Sequence, residues 1–584
     1  MKTPADMHTR KKLIEVALPL DAINDASVQE KASGASPHPR GLHHWWARRP
    51  MCAARAVLFS QLVDDPSEYT DELLADKDKK FAAEYELKKR LEGFEQRNED
   101  PDENEEIISV QSFEKPTLKK VIAEIERERL FGIIKKMILR KNADSDEAIE
   151  EAQEEIWHTW RRTCADNKDH LRAKEIFDPE KLPAFHDPFA GGGTLPLEAS
   201  RLGLESHAGD LNPVAVLINK AMIEIPPKFA NRPPINRVSR ADKNLVDREW
   251  KGMDGIAEDI VYYSRWIRDE MEKRIGHYYP KIQISADMVE ERPDLEFYKG
   301  QELPVISWLW VRTVKSPNPA LSDVDVPLAS NFMLSTAIGK EAYIKPMIEG
   351  DRYRFTVKIG KPIDMESKKA GTKIGRAKFR CLISGVPIES EYIRGEFKAK
   401  RSGMKLMAIV VDGNPGRIYL DPIQMHEKAA FEAKPKWQPE EEMGSKFSDL
   451  RGYGISCWNE LFTSRQLLAL TTFSDLIGEV NEQINRDALS ANIINDEKSL
   501  REGGVGGKAY AEAIGIYLAF TFDRCVSSSN ACTRWQVGYQ KTAGIFGKQA
   551  IPMVWDFSEV GILNDVIGGI VPTAKIIAKS SKEI

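Results

Sequence analysis

Apolar positions repeat along this chain with two periods. Between residues 53 and 63, Ala54, Val57, Leu58 and Leu62 recur near helical spacing, and Pro50 stands where a helix tolerates proline. The same period on a highly charged background marks helices over 70–97, 117–140 and 145–164, the first two separated by an acidic linker at 99–106. Together they read as a helical insertion with solvated faces. Further helices are expected at 11–16, 195–202, 214–223, 262–274, 466–484 (capped by Thr463 or Ser464) and 509–522. Period-two alternation predicts strands at 308–314, 353–359, 377–383 and 406–411. A last strand, 551–557, ends in Asp556 and Phe557.

One transition between patterns carries candidate chemistry. A short apolar run at 182–185 leads into Asp187-Pro188-Phe189-Ala190-Gly191-Gly192-Gly193-Thr194, and an amphipathic helix follows. Strand, glycine turn and helix in that order let backbone amides approach a ligand at the positive end of a helix dipole. A second strand, 205–209, ends in Asp210-Leu211-Asn212-Pro213. An acidic residue about twenty positions after a glycine turn is where nucleotide-binding folds hold ribose hydroxyls. No Gly-Lys-Ser/Thr follows the turn, which excludes a phosphate loop.

With 42% hydrophobic and 30% charged residues, the chain is globular rather than disordered, and 584 residues allow three or four domains. Six cysteines without a Cys-x-x-Cys pair argue against a disulfide framework. The first twelve residues lack a signal-peptide core, and no apolar run is long enough for a membrane span, so a cytoplasmic location is expected. A net charge of −6 means that nucleic-acid binding would need a local basic surface. Residues 352–405, with fifteen Lys/Arg against five Asp/Glu, supply one candidate; an ordinary exposed sheet face is the other reading.

The segment His38-Pro39-Arg40-Gly41-Leu42-His43-His44-Trp45-Trp46-Ala47-Arg48-Arg49-Pro50 concentrates aromatic and cationic groups. It either seats the following helix on the core or forms a second wall of the ligand site, where an arginine could pair with a carboxylate. Two further pieces have the outline of a zinc ribbon, Ser316-Pro317-Asn318-Pro319-Ala320-Leu321-Ser322 and Cys381-Leu382-Ile383-Ser384-Gly385. At the four ligand positions stand Ser316, Leu321, Cys381 and Ser384; one cysteine cannot hold a tetrahedral zinc, so no metal is expected.

Taken together, Leu-Pro-Leu-Asp at 18–21, His-Trp-Trp-Ala-Arg-Arg-Pro at 44–50, Leu-Val-Asp-Asp-Pro at 62–66, Asp-Pro-Phe-Ala-Gly-Gly-Gly-Thr at 187–194, Asp-Leu-Asn-Pro-Val-Ala at 210–215 and Pro-Met-Val-Trp-Asp at 552–556 resemble one family. It is that of the adenine-specific DNA methylases with an inserted zinc ribbon and the N-terminal domain of unknown function 1156, some of which occur in anti-phage gene clusters. The resemblance implies an α/β fold: a Rossmann-like methyltransferase core, incomplete here, with a helical insertion and a β-rich, ribbon-like insertion. The expected parts are an N-terminal region (1–65) packing on the cofactor site, the helical insertion (66–180), the first part of the core (181–300), the β-rich insertion with a possible DNA contact (301–430) and a return to the core (431–584).

The implied cofactor is S-adenosyl-L-methionine, and the implied reaction is methylation of adenine N6 in double-stranded DNA, as in restriction-modification or anti-phage systems. Its binding residues would be Asp187, Pro188, Phe189, Ala190, Gly191, Gly192, Gly193, Thr194, Asp210, Asn212, His38, Trp46, Arg48 and Arg49, with Asp556 and Phe557 beside the cofactor adenine. The family's catalytic Asp/Asn/Ser-Pro-Pro-aromatic tetrapeptide does not occur; the chain's Pro-Pro pairs are followed by Lys228 and Ile235. In the family it follows the inserted regions, near where this sequence ends, which implies the N-terminal part of a longer or split methylase. The alternatives are a non-catalytic cofactor- and DNA-binding subunit whose catalytic half is a second polypeptide, and an RNA or protein methyltransferase.

Overall fold

The computed structural model describes residues 7–32, 37–46, 48–99, 115–139, 146–241, 248–413, 416–444, 448–546 and 550–584. The chain forms two compact units, one from residues up to 40 and 44–227, the other from 41–43 and 228–583. The expected first part of the core, 181–300, is thus divided after Pro227.

The first unit runs α1 (Leu20–Ala32), α2 (Met51–Leu62), α3 (Lys77–Glu99), α4 (Leu118–Ile138), α5 (Asp146–Asp166), β1 (Phe185–Asp187), α6 (Thr194–Arg201), β2 (Ser206–Ala208) and α7 (Pro213–Asn219). Strands β1 and β2 pair in parallel, Phe185 opposite Ser206 and Asp187 opposite Ala208, with α6 as the crossover that parallel pairing requires. Every other strand pair among the described residues is antiparallel.

The charged helices have solvated faces, and each also has an apolar side that packs. Leu130, Ile134 and Met137 of α4 and Ala152 and Ile156 of α5 share one apolar cluster with Ala56 and Phe59 of α2 and Ala199 of α6. Two acids on them are buried and paired, Glu126 with Arg129 and Lys79, and Glu155 with Arg129 at 2.6 Å, while most of their other charges stay exposed. Arg55 of α2 and Glu198 of α6, both buried, pair at 2.5 Å, and Arg55 donates to the Met137 carbonyl at the end of α4. That ion pair ties the helix before the glycine turn to the helix after it.

The second unit contains α8 (Arg237–Ala241), α9 (Asp254–Ile275), β3 (Val305–Lys315), β4 (Asp325–Pro327), β5 (Met333–Ser335), β6 (Ala342–Glu349), β7 (Arg352–Ile359), β8 (Lys373–Gly375), β9 (Lys378–Arg380), β10 (Pro387–Ile388), β11 (Gly403–Asp412), β12 (Arg417–Leu420), α10 (Ser464–Ser490), α11 (Gly507–Ser528), β13 (Asp556–Val560) and α12 (Ile570–Ser581). The main sheet has the order β12-β11-β3-β13, with β4 also on β3. Strand β3 is buried along nearly its whole length, as a central strand must be. Two smaller sheets, β5-β6-β7 and β8-β9-β10, are separate ladders whose apolar side chains pack against residues of the main sheet. Helices α9 to α12 pack on one another. Thr463 caps α10 in a reciprocal box with Gln466. Where α10 meets α11, a Cβ on Gly515 would fall 2.9 Å from Asn481 Oδ1, so a larger residue there would displace the Asn481 side chain. No helix among the described residues is long and apolar enough to cross a membrane.

Candidate functional site

The glycine turn lies between β1 and α6 as its local chemistry dictates. Gly191 and Gly193 take positive φ, 51° and 73°, the left-handed region that a Cβ disfavours. Close contacts add a second reason for glycine. A Cβ on Gly191 would lie 2.7 Å from Trp45 Nε1, one on Gly192 3.1 Å from Arg48 Cγ, and one on Gly193 2.9 Å from Asn219 Oδ1. Trp45 and Arg48 therefore pack directly on the loop. Trp46, the tryptophan expected there, is 80% exposed; two adjacent tryptophans left open which one turns inward.

Asp210 joins the two loops. Its Oδ2 accepts from the Gly191 amide at 2.9 Å and its Oδ1 from the Asn212 amide at 2.8 Å. Those backbone hydrogen bonds, Asn212's first and then Gly191's, hold its carboxyl below the usual range. Each oxygen keeps a second lone pair for a hydroxyl donor. Asp187 Oδ1 accepts from the Phe189 amide at 3.0 Å. Asn212 caps α7 by accepting from Val214 N at 2.9 Å. Asn219, buried on α7, donates to the carbonyls of Gly191 and Ala215, while its Oδ1, facing Gly193, has no hydrogen-bond partner among the described residues.

Electrostatics favour an anion here. Burial, and then the nearby Arg40, push the Arg48 guanidinium down to about 10. A carboxylate or phosphate beside it would relieve both effects. The first-turn amides of α6 add the positive end of the helix dipole. Phe189 at 87% and Leu211 at 100% are exposed on the two loops, so the rim is apolar. Ala190 is buried, its amide bonded to the Gly209 carbonyl at 3.0 Å, and Pro188 is exposed. Thr194 Oγ1 approaches the Arg49 carbonyl at 3.5 Å, and the Arg49 side chain is exposed.

His38 serves a different purpose from the one expected. It faces Glu30 at 3.3 Å, and Glu30 accepts from the amides of Met51 and Cys52 at 3.0 and 3.1 Å, closing the N-terminus of α2. Burial would raise the Glu30 pKa, but the hydrogen bonds from His38, Cys52 and Met51 outweigh it and bring the group from 4.5 to about 2. Because the folded value is the lower one, this stabilisation is complete above pH ~4.5 and is lost as pH falls toward ~2. Glu30→Gln should therefore cost up to about 3 kcal/mol at pH 7 and progressively less below pH ~4.5. Urea titrations of both proteins at pH 7 and pH 3 test this, and a pH-independent difference would contradict it.

Asp556 and Phe557 belong to the second unit and are engaged there. Asp556 Oδ1 accepts from the Ser330 amide at 2.7 Å and from the Ser330 hydroxyl, and burial raises its pKa against those bonds. Phe557 is 2% exposed, with the Arg312 guanidinium over its ring. At the ribbon-like pieces, Gly385 N donates to the Cys381 carbonyl and Asn318 N to Ser316 Oγ, so both form tight turns. Leu321 N closes the first turn on the Asn318 carbonyl, and Ser384 Oγ accepts weakly from Val386 N at 3.4 Å. Cys381 packs in an apolar cluster with Val326, Leu328, Phe379 and Ile388. Among the described residues no three His, Cys, Asp or Glu side chains are grouped to hold a metal.

Comparison with known proteins gives one match. Residues 17–91 fit the family model described as a protein of unknown function, DUF1156. That stretch includes α1, α2, Trp45, Arg48 and Arg55. No curated protein and no solved structure matches the chain.

Proposed function

We propose that the first unit binds S-adenosyl-L-methionine, and that the chain belongs to a DNA methyltransferase of the adenine-N6 type, from a restriction-modification or anti-phage system. The observation that carries this reading is the β1-turn-α6-β2 unit, in which Asp210 clamps the glycine loop while Trp45 and Arg48 wall it. We read that unit as the opening of a Rossmann-like core. The donor set fits the ligand. Arg48 and the α6 amides would take the cofactor carboxylate, the free oxygen of Asp187 its ammonium, and Asp210 a ribose hydroxyl. When bound, the cofactor supplies an electrophilic methyl on a sulfonium.

Calorimetric titration with S-adenosylhomocysteine tests the assignment. Saturable binding is expected, and Arg48→Met should weaken it by about 1.5–3 kcal/mol, the range for hydrogen bonds to charged groups. Methylthioadenosine lacks the amino-acid end, so its affinity should survive Arg48→Met but fall in Asp210→Ala. Equal loss of both ligands in Arg48→Met would remove that arginine from the carboxylate site.

Double-stranded DNA is the proposed substrate, and the β-rich part offers a surface for it. Lys358, Lys361, Arg376 and Arg380 are exposed and, among the described residues, form no ion pair. Lys400 and Arg401, by contrast, are paired with Glu460 and Glu396. Reversing the four unpaired charges should flatten the dependence of log K on log salt by up to about 0.9 for each phosphate no longer neutralised. An unchanged slope would move the DNA surface elsewhere. The absence of a catalytic tetrapeptide in this sequence supports a second reading, a cofactor- and DNA-binding subunit completed by another polypeptide. RNA as substrate is the third.

A further inference from the structure

The second unit contains a cavity of about 370 Å³ that the methyltransferase reading does not use. Arg232, Pro233, Ser239, Arg240, Trp250 and Asn492 supply its chemistry, and no carboxylate lines it among the described residues. Neither Arg232 nor Arg240 forms an ion pair among the described residues; Arg240 donates to the Ser490 carbonyl at 3.1 Å, and Arg232 lies over the Phe229 ring.

The walls are held firmly. Asn231, at φ 59°, exchanges two hydrogen bonds with Gly252, N to O at 2.8 Å and Oδ1 from N at 2.7 Å, which fixes the Arg232 loop against the Trp250 segment. A Cβ on Gly255 would meet the Arg232 carbonyl at 2.1 Å, so the start of α9 sits close beneath the Pro233-Pro234 turn because residue 255 is glycine. One turn further on, buried Asp259 accepts from Ile235 N, Asn236 N, Asn236 Nδ2 and Tyr510 OH, all within 3.0 Å. Arg248 lies over the Trp250 ring at 4.7 Å and is anchored to Asp254 at 2.9 Å. On the far side, Asn492 takes φ 64° as the chain leaves α10.

An aromatic wall, two cations without acidic partners among the described residues, small polar groups and a volume at the lower end of ligand pockets define a narrow class of ligand. We infer that this cavity binds a nucleoside phosphate, either free or as one unit of a single strand, with the base against Trp250 and the phosphate between Arg232 and Arg240. Base-on-aromatic stacking and arginine-phosphate pairing are the interactions that such a ligand offers.

The test is calorimetric titration of the full chain with thymidine monophosphate, inorganic phosphate and an eight-nucleotide oligothymidylate. Thymidine avoids any overlap with an adenosyl site, and Asp210→Ala should leave its binding unchanged. Thymidine monophosphate or the oligonucleotide should bind saturably, and Arg232→Ala with Arg240→Ala should weaken binding at least about tenfold. Trp250→Ala should do the same, Trp250→Phe should restore most of it, and that pair decides the matter should the arginine variant fail to fold. Binding of the oligonucleotide only assigns the cavity to a strand; binding of the mononucleotide assigns it to a free nucleotide. Failure of both to bind, binding indifferent to these residues, or phosphate binding as tightly as the nucleotide would overturn the inference.

Discussion

Glu559→Ala should unfold the second unit far more readily than any surface change. Glu559 on β13 and Arg465 at the start of α10 are both fully buried and pair through two bonds of 2.9 Å. The carboxylate also accepts from Trp310 Nε1 at 2.7 Å and Thr463 Oγ1 at 3.2 Å, so all its ligands come from the sheet or the cap of α10. Arg465 gives its remaining Nη1 to the Tyr278 carbonyl and lies over Trp308, whose Nε1 donates to His426 Nδ1. Removing the acid strands a guanidinium and an indole N–H in the core, which costs about 3–5 kcal/mol for the broken ion pair. Glu559→Leu with Arg465→Met should recover most of that loss, because the buried charge goes with its partner. Denaturant titration gives the answer; a cost below about 1 kcal/mol for Glu559→Ala would mean that water reaches the guanidinium.

This network is not legible in the sequence, and the reason is physical. Arg465 and Glu559 are 94 positions apart, and nothing local distinguishes a buried ion pair from two surface charges. The same blindness affects the charged helices. Their Lys, Arg and Glu content suggests solvated faces, which they have, but does not show that α4 also buries ten residues, Glu126 among them. The glycine turn is legible because its cause is local: positive φ at Gly191 and Gly193 demands glycine whatever the rest of the chain does. Two strands, one in each unit, start later than their apolar runs. Strand β1 begins at Phe185, and Leu182 packs with the helices instead. Strand β13 begins at Asp556, while Trp555 inserts among Phe379, Phe397 and Tyr453. Apolar runs show burial but not which neighbour does the burying. The hairpin of β6 and β7 is only half apparent from alternation, since Lys345-Pro346-Met347 interrupts the pattern in β6. Of the site itself, Asp210 and Arg48 follow from spacing and charge, whereas Trp45 and Asn219 emerge only from their contact with the glycines.

The chain should not methylate DNA by itself. Adenine's amine is a poor nucleophile because its lone pair is conjugated with the ring, so a catalyst must hold it by accepting its hydrogen bonds and stack the flipped base. The sequence offers no acid or amide directly before Pro-Pro and an aromatic. Its two Pro-Pro pairs do other work: Pro226 and Pro227 lie inside the helix Ile225–Phe229, and Pro233-Pro234 forms the turn above Gly255. Asp556 is a poor substitute, since its carboxylate is half-buried and already accepts from the Ser330 amide and hydroxyl. Without that positioning, transfer should fall at least about a thousandfold, within the range that general acid-base groups and fixed hydrogen bonds contribute. A tritiated-methyl assay on unmethylated DNA should show only background with this chain. A polypeptide carrying the tetrapeptide should raise the signal, and Arg48→Met should then depress it by weakening cofactor binding. Robust methylation by residues 1–584 on their own, abolished by Asp556→Asn, would instead place the amine-binding group on β13.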